Sequence, residues 1–217
     1  IKLSNLQSPF IGPKFSNEEI EKIIKNNEDL KNFDIQLENN NNILYSKVAK
    51  YIFENKIVGF FNDRMEFGAR ALGNRSILAN PCELKIKEII NSKIKRRESF
   101  RPFAPAILFE KKSEWFNNNF YNPYMSSVEE INESKKKQIP AVTHIDGTGR
   151  VQTVTKEINP NFHLLIEKFY ELSNVPIVLN TSFNENEPIV MNVNNAIECF
   201  LRTKMDILVL NSFIIKR

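Results

Sequence analysis

Arginines and glycines are concentrated in one short stretch of the sequence, residues 64–76. The stretch reads RMEFGARALGNRS and contains Arg70, Arg75 and Ser76. Guanidinium groups bind phosphate and carboxylate oxygens through planar pairs of hydrogen bonds, and glycines let the backbone approach a ligand closely. The stretch therefore predicts an anion site. Composition alone does not separate this interpretation from a surface turn whose arginines pair with acids such as Glu66.

A second cationic run, KIKRRESFRPFAP at residues 93–105, passes directly into apolar residues. Charged side chains next to apolar residues that exclude water are in a region of low dielectric constant, which strengthens their contacts to phosphate. Lys95, Arg97 and Arg101 are the candidates here. A solvated helix end is the alternative, and it accounts for Lys95 better than for Arg101, which lies past the predicted helix.

A third candidate is an apolar segment that ends abruptly in polar residues, PIVLNTSFN at residues 176–184. Ligands of α/β sheets commonly lie beyond the ends of strands, so Asn180, Thr181, Ser182 and Asn184 could face a ligand. The same residue types also make simple turns with local hydrogen bonds.

The segment HIDGTGR contributes two further polar candidates, His144 and Arg150. A hydrogen-bonded structural histidine is an equally good interpretation of His144. Trp115, Tyr121 and Tyr124 are interpreted as core or interface anchors.

The elements that must position these residues alternate between helix and strand patterns. Ser16 and Glu19 form a capping box before a short helix, and Glu38 to Asn42 is interpreted as a loop. The pattern predicts a mixed α/β sandwich. Strands are predicted near residues 56–61, 103–109, 151–154, 176–179, 207–210 and 213–215, and helices near 43–54, 83–94, 162–172 and 194–203.

Composition limits the functional classes. The chain has 217 residues, of which 41% are hydrophobic, and no apolar run approaches the roughly 20 residues of a membrane span. A net charge of +4 is too small to indicate a dedicated nucleic-acid surface. Two cysteines suit a reducing cytoplasm, and two histidines make a metal site within this chain hard to assemble, so none is predicted.

Five motifs taken in order resemble the carboxy-terminal domain of the carbamoyltransferases that include nodulation and antibiotic-tailoring enzymes. The motifs cover nearly the whole chain. Ala69 is one departure, because the family usually has proline there. The five are IVGFFNDRMEFGARALGNRSILANP, IKRRESFRPFAPAIL, PAVTHIDGTGRVQTV, VPIVLNTSFNENEPIV and AIECFLRTKMDILVL.

The resemblance implies a single α/β domain in residues 43–217 with a YrdC-like fold, a twisted mixed sheet flanked by helices, similar to the threonylcarbamoyl-adenylate synthases. Residues 1–42 would be a linker and short helix leading from a missing Kae1-like amino-terminal domain. The resemblance also assigns roles to the candidates. Arg70, Arg75 and Arg101 would act in catalysis, and the ligand-binding groups would be Ser76, Lys95, Arg97, His144, Arg150, Asn180, Thr181, Ser182 and Asn184.

The chemistry implied by the resemblance has two stages. Carbamoyl phosphate is cleaved to carbamate and phosphate, and carbamate then attacks the ATP α-phosphate, with Mg²⁺ present, to give carbamoyl adenylate. A small hydroxyl acceptor, and Fe²⁺ or a similar metal, would bind in the missing domain. Two alternatives remain: a tRNA-modification enzyme like YrdC and Sua5, and a non-catalytic RNA-binding module.

Overall fold

The structure is a computed structural model, and it describes residues 8–217. The first residues of the linker predicted over 1–42 therefore lie outside the described residues. From residue 8 onward the chain first runs beside a later loop. Gly12 N donates to the Met65 carbonyl and Phe67 N donates to the Pro9 carbonyl.

An eight-stranded mixed sheet forms the centre of the molecule, in the order β1-β10-β9-β2-β3-β8-β4-β7. The pairs β2/β9 and β4/β7 are parallel, and the other neighbours are antiparallel. A two-stranded ribbon, β5/β6, lies beside it. The strands are β1 (Asp34–Leu37), β2 (Val58–Phe61), β3 (Arg75–Ala79), β4 (Ala104–Leu108), β5 (Glu129–Glu130), β6 (Thr148–Gly149), β7 (Gln152–Val154), β8 (Ile177–Ser182), β9 (Ile207–Leu210) and β10 (Phe213–Lys216).

Helices flank the sheet. One pair, α2 and α5, packs together over β2, β3, β4 and β8, while α6 contacts β2, β9 and α1. The predicted capping box is present, because Ser16 Oγ accepts from Glu19 N and Glu19 Oε2 accepts from Ser16 N. The helices are α1 (Asn17–Lys25), α2 (Asn41–Phe53), α3 (Leu84–Ile89), α4 (Glu133–Lys136), α5 (Pro160–Ser173) and α6 (Val193–Arg202).

The core of the molecule is made by the sheet and the helices together. Strands β2, β3, β4 and β9 are buried at every position, as expected of strands covered on both faces. Ile20 and Leu30, from the segment that was predicted as linker and short helix, join the same core cluster. The pairing of β1 with β10 also places that segment at the edge of the sheet.

Two predicted elements differ from the structure. The segment from Glu38 to Asn42 was predicted as a loop, but its last two residues belong to α2. Asn40 Oδ1 caps this helix by accepting from Asn42 N and Ile43 N. The helix predicted for residues 83–94 is α for only its first part and continues as a π-helical turn over Ile90–Ile94. None of the helices within residues 8–217 has the length and apolar character needed to cross a membrane.

Candidate functional site

A small polar pocket lies where β8 ends beside β3 and β4. We call it the arginine pocket, and its polar wall is formed by Arg70, Arg97, Arg150, Asn180, Thr181 and Ser182. Its volume of about 110 Å³ is well below the roughly 300–1,000 Å³ of cavities that hold drug-sized ligands. The pocket therefore suits a small ligand or one end of a larger ligand.

The three guanidinium groups of the pocket come from distant parts of the chain. Burial lowers the pKa of Arg97 and of Arg150, and the positive charge of Arg101 near Arg97 and of Arg70 near Arg150 lowers each further. Within residues 8–217 none of the three pocket arginines forms a salt bridge with a carboxylate. Unneutralised cations in one hollow favour an anionic ligand.

Arg97 is held in place from two sides. Its Nε donates a 2.8 Å hydrogen bond to Oδ1 of the buried Asn91, and its guanidinium lies 5.1 Å from the centre of the Phe103 ring. Asn91 Nδ2 also donates to the carbonyls of Ser99 and Arg101. The π-helical turn that carries Asn91 thus fixes both Arg97 and the loop that follows it.

Asn180 adds an acceptor to this cationic wall. Its Nδ2 donates to the Ala71 carbonyl at 3.1 Å and to Gln152 Oε1 at 2.8 Å, while Gln152 Nε2 donates to the Leu72 carbonyl. The two carbonyls can only accept, so they fix the orientation of both amides. Asn180 is 1% exposed, and its Oδ1 has no hydrogen-bond partner among the described residues. A buried acceptor without a hydrogen-bond partner in a pocket wall favours a ligand that can donate a hydrogen bond to it.

The loop that carries Arg70 is folded around a buried carboxylate. Glu66 Oε1 accepts from the backbone N–H groups of Leu72, Asn74 and Arg75. Glu66 was considered as an ion-pair partner for the arginines of this stretch, but its hydrogen bonds go to backbone N–H groups. Burial raises the pKa of this carboxyl, and hydrogen bonds from the backbone N–H groups of Glu66 itself, Leu72 and Arg75 oppose that rise. Glu66 therefore shapes the loop and leaves Arg70 exposed at the pocket.

Arg75 and Ser76 lie outside the wall of the arginine pocket, although Ser76 pairs with Ser182 of that wall in the sheet. Arg75 is 0% exposed, and Nη1 and Nη2 donate to the carbonyls of Asn62, Asn74, Pro13 and Asp63. Ser76 Oγ accepts from Gly73 N. Because Arg75 Nη1 and Nη2 donate to backbone carbonyls and Ser76 Oγ accepts from the loop, the geometry favours positioning roles for both residues, whereas contact with substrate was expected.

Lys95 and Asn184 also lie behind the pocket wall. Lys95 Nζ donates to the Ser182 carbonyl at 2.5 Å and to Asn184 Oδ1 at 2.6 Å. Burial, followed by the charge of Arg97, lowers the pKa of Lys95 to about 7. The lysine is positioned to hold the end of β8, whereas contact with phosphate was expected.

Arg101 and His144 lie near the arginine pocket but outside its wall. Arg101 is exposed and its Nε lies 2.9 Å from Glu98 Oε2. His144 Nδ1 lies 3.1 Å from Thr148 Oγ1, and burial lowers the pKa of this imidazole. The structure thus brings together six of the twelve candidate residues, namely Arg70, Arg97, Arg150, Asn180, Thr181 and Ser182.

Sequence reasoning missed Gln152, Asn91 and the role of Glu66. Each is a polar residue within or beside an apolar segment, and such a position signals a buried side chain that must find hydrogen-bond partners. The sequence carries that signal, but it does not name the partners.

The pocket offers guanidinium, amide and hydroxyl groups, and its wall contains no carboxylate. In the part of the chain that the structure describes, no group of three or more His, Cys, Asp or Glu side chains is placed to hold a metal ion. A Mg²⁺ ion at this site would take its ligands from phosphate oxygens and water, as this ion commonly does.

Two larger cavities adjoin the pocket at Ala69. The first, about 500 Å³, is the aromatic groove, lined by Pro9, Phe67, Leu72, Tyr124 and Arg70. Phe67 is 75% exposed and Tyr124 is 47% exposed. The second, about 710 Å³, lies beside Asn184, Glu187 and Arg202. The arginine pocket thus opens onto space large enough for more of a ligand.

The family model described as "Carbamoyltransferase C-terminus" matches residues 49–217. The chain belongs to this family. The matched range contains every residue of the arginine pocket.

Curated relatives of this carbamoyltransferase C-terminus extend well beyond it. An uncharacterized protein of Synechocystis is 38% identical over 96% of this chain, which corresponds to 37% of that protein. The nodulation protein NolNO of Sinorhizobium fredii is 46% identical over 79% of this chain and 26% of that protein. The 3'-hydroxymethylcephem-O-carbamoyltransferase of Amycolatopsis lactamdurans is 40% identical over 60% of this chain and 25% of that enzyme. The chain therefore spans about a quarter to two fifths of such relatives.

Solved structures confirm the predicted fold of the carbamoyltransferase C-terminus. Full-length HypF, in a phosphate- and nucleotide-bound form, superposes with a TM-score of 0.55 at 19% sequence identity. The match covers 82% of this chain and 22% of the HypF chain. Sua5 of P. abyssi, complexed with L-threonine, has a TM-score of 0.53 at 18% identity over 77% of this chain and 46% of its own. Likeness at this identity supports the YrdC-like mixed sheet.

Proposed function

We propose that this chain is the carbamoyl-activating domain of an ATP-dependent carbamoyltransferase and that the arginine pocket binds carbamoyl phosphate. Family membership and the names of the relatives support the reaction class. The observation that carries the ligand assignment is the unpartnered Oδ1 of Asn180 within a wall of three guanidinium groups.

Carbamoyl phosphate matches this wall chemically. Its phosphate would take charge-assisted hydrogen bonds from Arg70, Arg97 and Arg150, and its amide would donate to Asn180 Oδ1. Inorganic phosphate lacks the amide donor. Acetyl phosphate has a methyl group in its place and would leave the buried Asn180 acceptor unpaired, which costs about 1–3 kcal/mol.

ATP is too large for the arginine pocket alone, and we propose the aromatic groove for its adenosine. Exposed Phe67 and Tyr124 offer surfaces on which a base can stack, and Arg70 belongs to both cavities. Base stacking on an aromatic side chain is worth about 1–3 kcal/mol. A nucleotide in the groove would therefore bring its phosphates to the arginines.

The residues suit a reaction that requires neutralised charge and correct positioning more than a nucleophilic side chain. Water cleaves carbamoyl phosphate to carbamate and phosphate. A carbamate oxygen then attacks the ATP α-phosphorus, pyrophosphate leaves, and carbamoyl adenylate forms. Arg70, Arg97 and Arg150 would stabilise the negative charge on the phosphoryl oxygens in both steps.

Transfer of the carbamoyl group to a hydroxyl acceptor is assigned to the part of the protein that the longer relatives possess beyond this chain. We propose a Kae1-like domain there, carrying the acceptor and the expected metal. Both cysteines, Cys82 and Cys199, are free thiols, which supports the proposed cytoplasmic location. This chain alone should bind carbamoyl phosphate and transfer the carbamoyl group poorly.

Calorimetric titration with carbamoyl phosphate, acetyl phosphate and inorganic phosphate tests the assignment. Arg97→Ala should weaken carbamoyl phosphate binding about tenfold to a hundredfold, because a charge-assisted hydrogen bond is lost. Arg64→Ala is the matched control, since Arg64 belongs to the same motif but lies outside the pocket wall and donates to the Gly12 carbonyl. Equal affinity of Arg97→Ala and wild type would refute the site.

Asn180→Ala tests the amide contact separately. The variant should lose the preference for carbamoyl phosphate over acetyl phosphate while it still binds inorganic phosphate. A retained preference would show that another group recognises the amide.

Tyr124→Ala should raise the Kd for ATP about fivefold or more and leave carbamoyl phosphate binding unchanged. Tyr121→Ala is the control, because Tyr121 is equally exposed at 47% but lies outside the groove. Pyrophosphate release driven by threonine plus bicarbonate, and not by carbamoyl phosphate, would favour the Sua5-like alternative.

A further inference from the structure

A second polar pocket lies at the carboxyl ends of the parallel strands β2 and β9. It has a volume of about 190 Å³ and is lined by residues that follow these strands, Asn62 and Asp63 after β2 and Asn211 and Ser212 after β9. We call it the strand-end pocket. The carboxyl end of parallel strands is a common location for ligands in α/β folds.

Three helices begin at the same pocket. Asn17 and Asn41 are the first residues of α1 and α2, Asn161 is the second residue of α5, and all three line the cavity. Their backbone N–H groups precede the hydrogen-bonded part of each helix, and no acceptor for them lies within the described residues. Helix N-termini carry partial positive charge and are established binding positions for anions.

Independent support comes from Asn62, which lines the same cavity. Its side chain is 4% exposed, and its Nδ2 has no partner among the described residues. Among residues 8–217, the one hydrogen bond to its Oδ1 is a long one of 3.5 Å from Tyr45 Oη. A buried amide donor without an acceptor is costly unless a ligand or water supplies one.

The fixed charges around the pocket also favour an anion. Asp63 is the one carboxylate in the wall, and Lys14 Nζ, also in the wall, lies 2.8 Å from Asp63 Oδ1. The buried Arg75 guanidinium donates to the carbonyls of Asn62 and Asp63 directly behind the cavity. Lys14 offsets Asp63, and Arg75 and the three helix N-termini add positive charge around the pocket. Glu18 and Glu19 in the first turn of α1 oppose this charge in part, but neither lines the cavity.

We propose that the strand-end pocket is a second anion site, separate from the arginine pocket, that binds a phosphate group. Its volume admits such a group and excludes a whole nucleotide. The phosphate group could belong to free phosphate or to a small phosphomonoester, since both present the same oxygens to the wall.

Amide NMR titration with inorganic phosphate tests the proposal, with Arg97→Ala protein used to weaken binding at the arginine pocket. The backbone N–H signals of Asn17, Asn41 and Asn161 should shift with phosphate concentration and should still shift in the Arg97→Ala protein. Glycerol phosphate forms the second arm. Tighter binding of glycerol phosphate identifies a phosphomonoester as the ligand, and tighter binding of inorganic phosphate identifies free phosphate.

Asn41→Asp places a negative charge inside the strand-end pocket, and the same substitution elsewhere serves as its control. A carboxylate at the first position of α2 stabilises the helix, so the fold is preserved, but it places negative charge in the pocket. The variant should weaken phosphate binding about tenfold. Asn194→Asp makes the same change in the first turn of α6, outside this cavity, and should bind like the parent. Absent shifts at the three amides, or equal effects of the two substitutions, would overturn the proposal.

Discussion

The side-chain amide of Gln152 connects β7 to the end of β8 through Asn180. Gln152 Oε1 accepts a 2.8 Å hydrogen bond from Asn180 Nδ2, and Gln152 Nε2 donates to the Leu72 carbonyl at 2.8 Å. One buried side chain therefore ties the loop that carries Arg70 to the strand that carries the open acceptor Asn180 Oδ1.

Gln152→Glu should weaken carbamoyl phosphate binding although Gln152 lies outside the wall of the arginine pocket. A carboxylate can still accept from Asn180 Nδ2, but it repels the Leu72 carbonyl and leaves a buried charge. We expect the free energy of unfolding to fall by about 1–3 kcal/mol. The Kd should rise for carbamoyl phosphate more than for inorganic phosphate, because the proposed contact of Asn180 Oδ1 is to the carbamoyl amide, which inorganic phosphate lacks. An equal rise for both ligands would indicate a purely structural role.

Substitution of Arg75 should lower the stability of the fold, whereas substitution of Arg70 should weaken ligand binding, although the two residues share one motif. Arg75→Met removes one donor from each of four carbonyls and removes the guanidinium that lies 3.6 Å from the Phe61 ring centre. The carbonyls of Asn74 and Pro13 keep a backbone donor, whereas those of Asn62 and Asp63 keep none among the described residues. The free energy of unfolding should fall by about 3 kcal/mol or more. Arg70 is exposed, so Arg70→Met should change stability by less than about 0.5 kcal/mol while it weakens carbamoyl phosphate binding.

Urea unfolding and calorimetry on the same two variants check this prediction. Burial lowers the pKa of Arg75 to about 10, so its side chain stays charged at neutral pH. A fully stable Arg75→Met protein with impaired binding would return Arg75 to the substrate-contacting role that its motif suggested.

The contrast between these two arginines shows which part of the site the sequence alone does not predict. The RMEFGARALGNRS stretch predicts an anion site, but it does not tell which guanidinium turns inward. That choice depends on Glu66 binding three backbone N–H groups and on the chain around Pro13 supplying a carbonyl to Arg75. Both are contacts whose partners the local pattern does not specify.

Local signals were sufficient for most of the elements. The capping box at Ser16 and the apolar run before Asn180 each located an element near its observed place. The pattern of elements predicted the mixed α/β class, and the resemblance predicted the YrdC-like sheet. Strand β1 was missed because its four residues are at most half-buried and its partner, β10, lies far along the chain. The convergence of Arg70, Arg97 and Arg150 likewise requires the strand order, which no local pattern determines.

Lys95 should give the folding stability a characteristic pH dependence. Its pKa is about 7 in the folded chain and about 10.4 in an unfolded one. Between these values the unfolded chain binds more protons, so the free energy of unfolding should increase with pH from about 7 to about 10. The contribution of one such group approaches about 1.4 kcal/mol per pH unit.

Lys95→Met removes that titration, and its stability should depend less on pH over the same range. Urea unfolding at several pH values measures the difference between the variant and the wild type. Lys204→Met, at an exposed lysine, is the control and should follow the wild-type curve. Parallel curves for Lys95→Met and wild type would mean that Lys95 titrates in the folded chain as it does in the unfolded one.

Two glycines in the loop beside the arginine pocket should respond differently to alanine. Both adopt positive φ, +106° at Gly68 and +111° at Gly73, so alanine is strained at either position by about 1–3 kcal/mol. A Cβ at Gly73 would also lie 2.3 Å from Cδ1 of the buried Phe162, whereas a Cβ at Gly68 would meet nothing within 4 Å. Gly73→Ala should therefore lose about 1–3 kcal/mol more of unfolding free energy than Gly68→Ala.

Thermal or urea unfolding of the two variants measures that difference, and titration with carbamoyl phosphate shows what it does to the site. Gly73 N donates to Ser76 Oγ where the loop joins β3. A shift at Gly73 therefore displaces its neighbour Leu72, whose carbonyl accepts a hydrogen bond from Gln152 Nε2. Gly73→Ala should consequently weaken binding through Asn180, and a Phe162→Leu substitution that makes room for the new methyl group should restore part of it. Equal losses of stability in the two alanine variants would show that backbone strain alone, without the contact to Phe162, demands glycine at position 73.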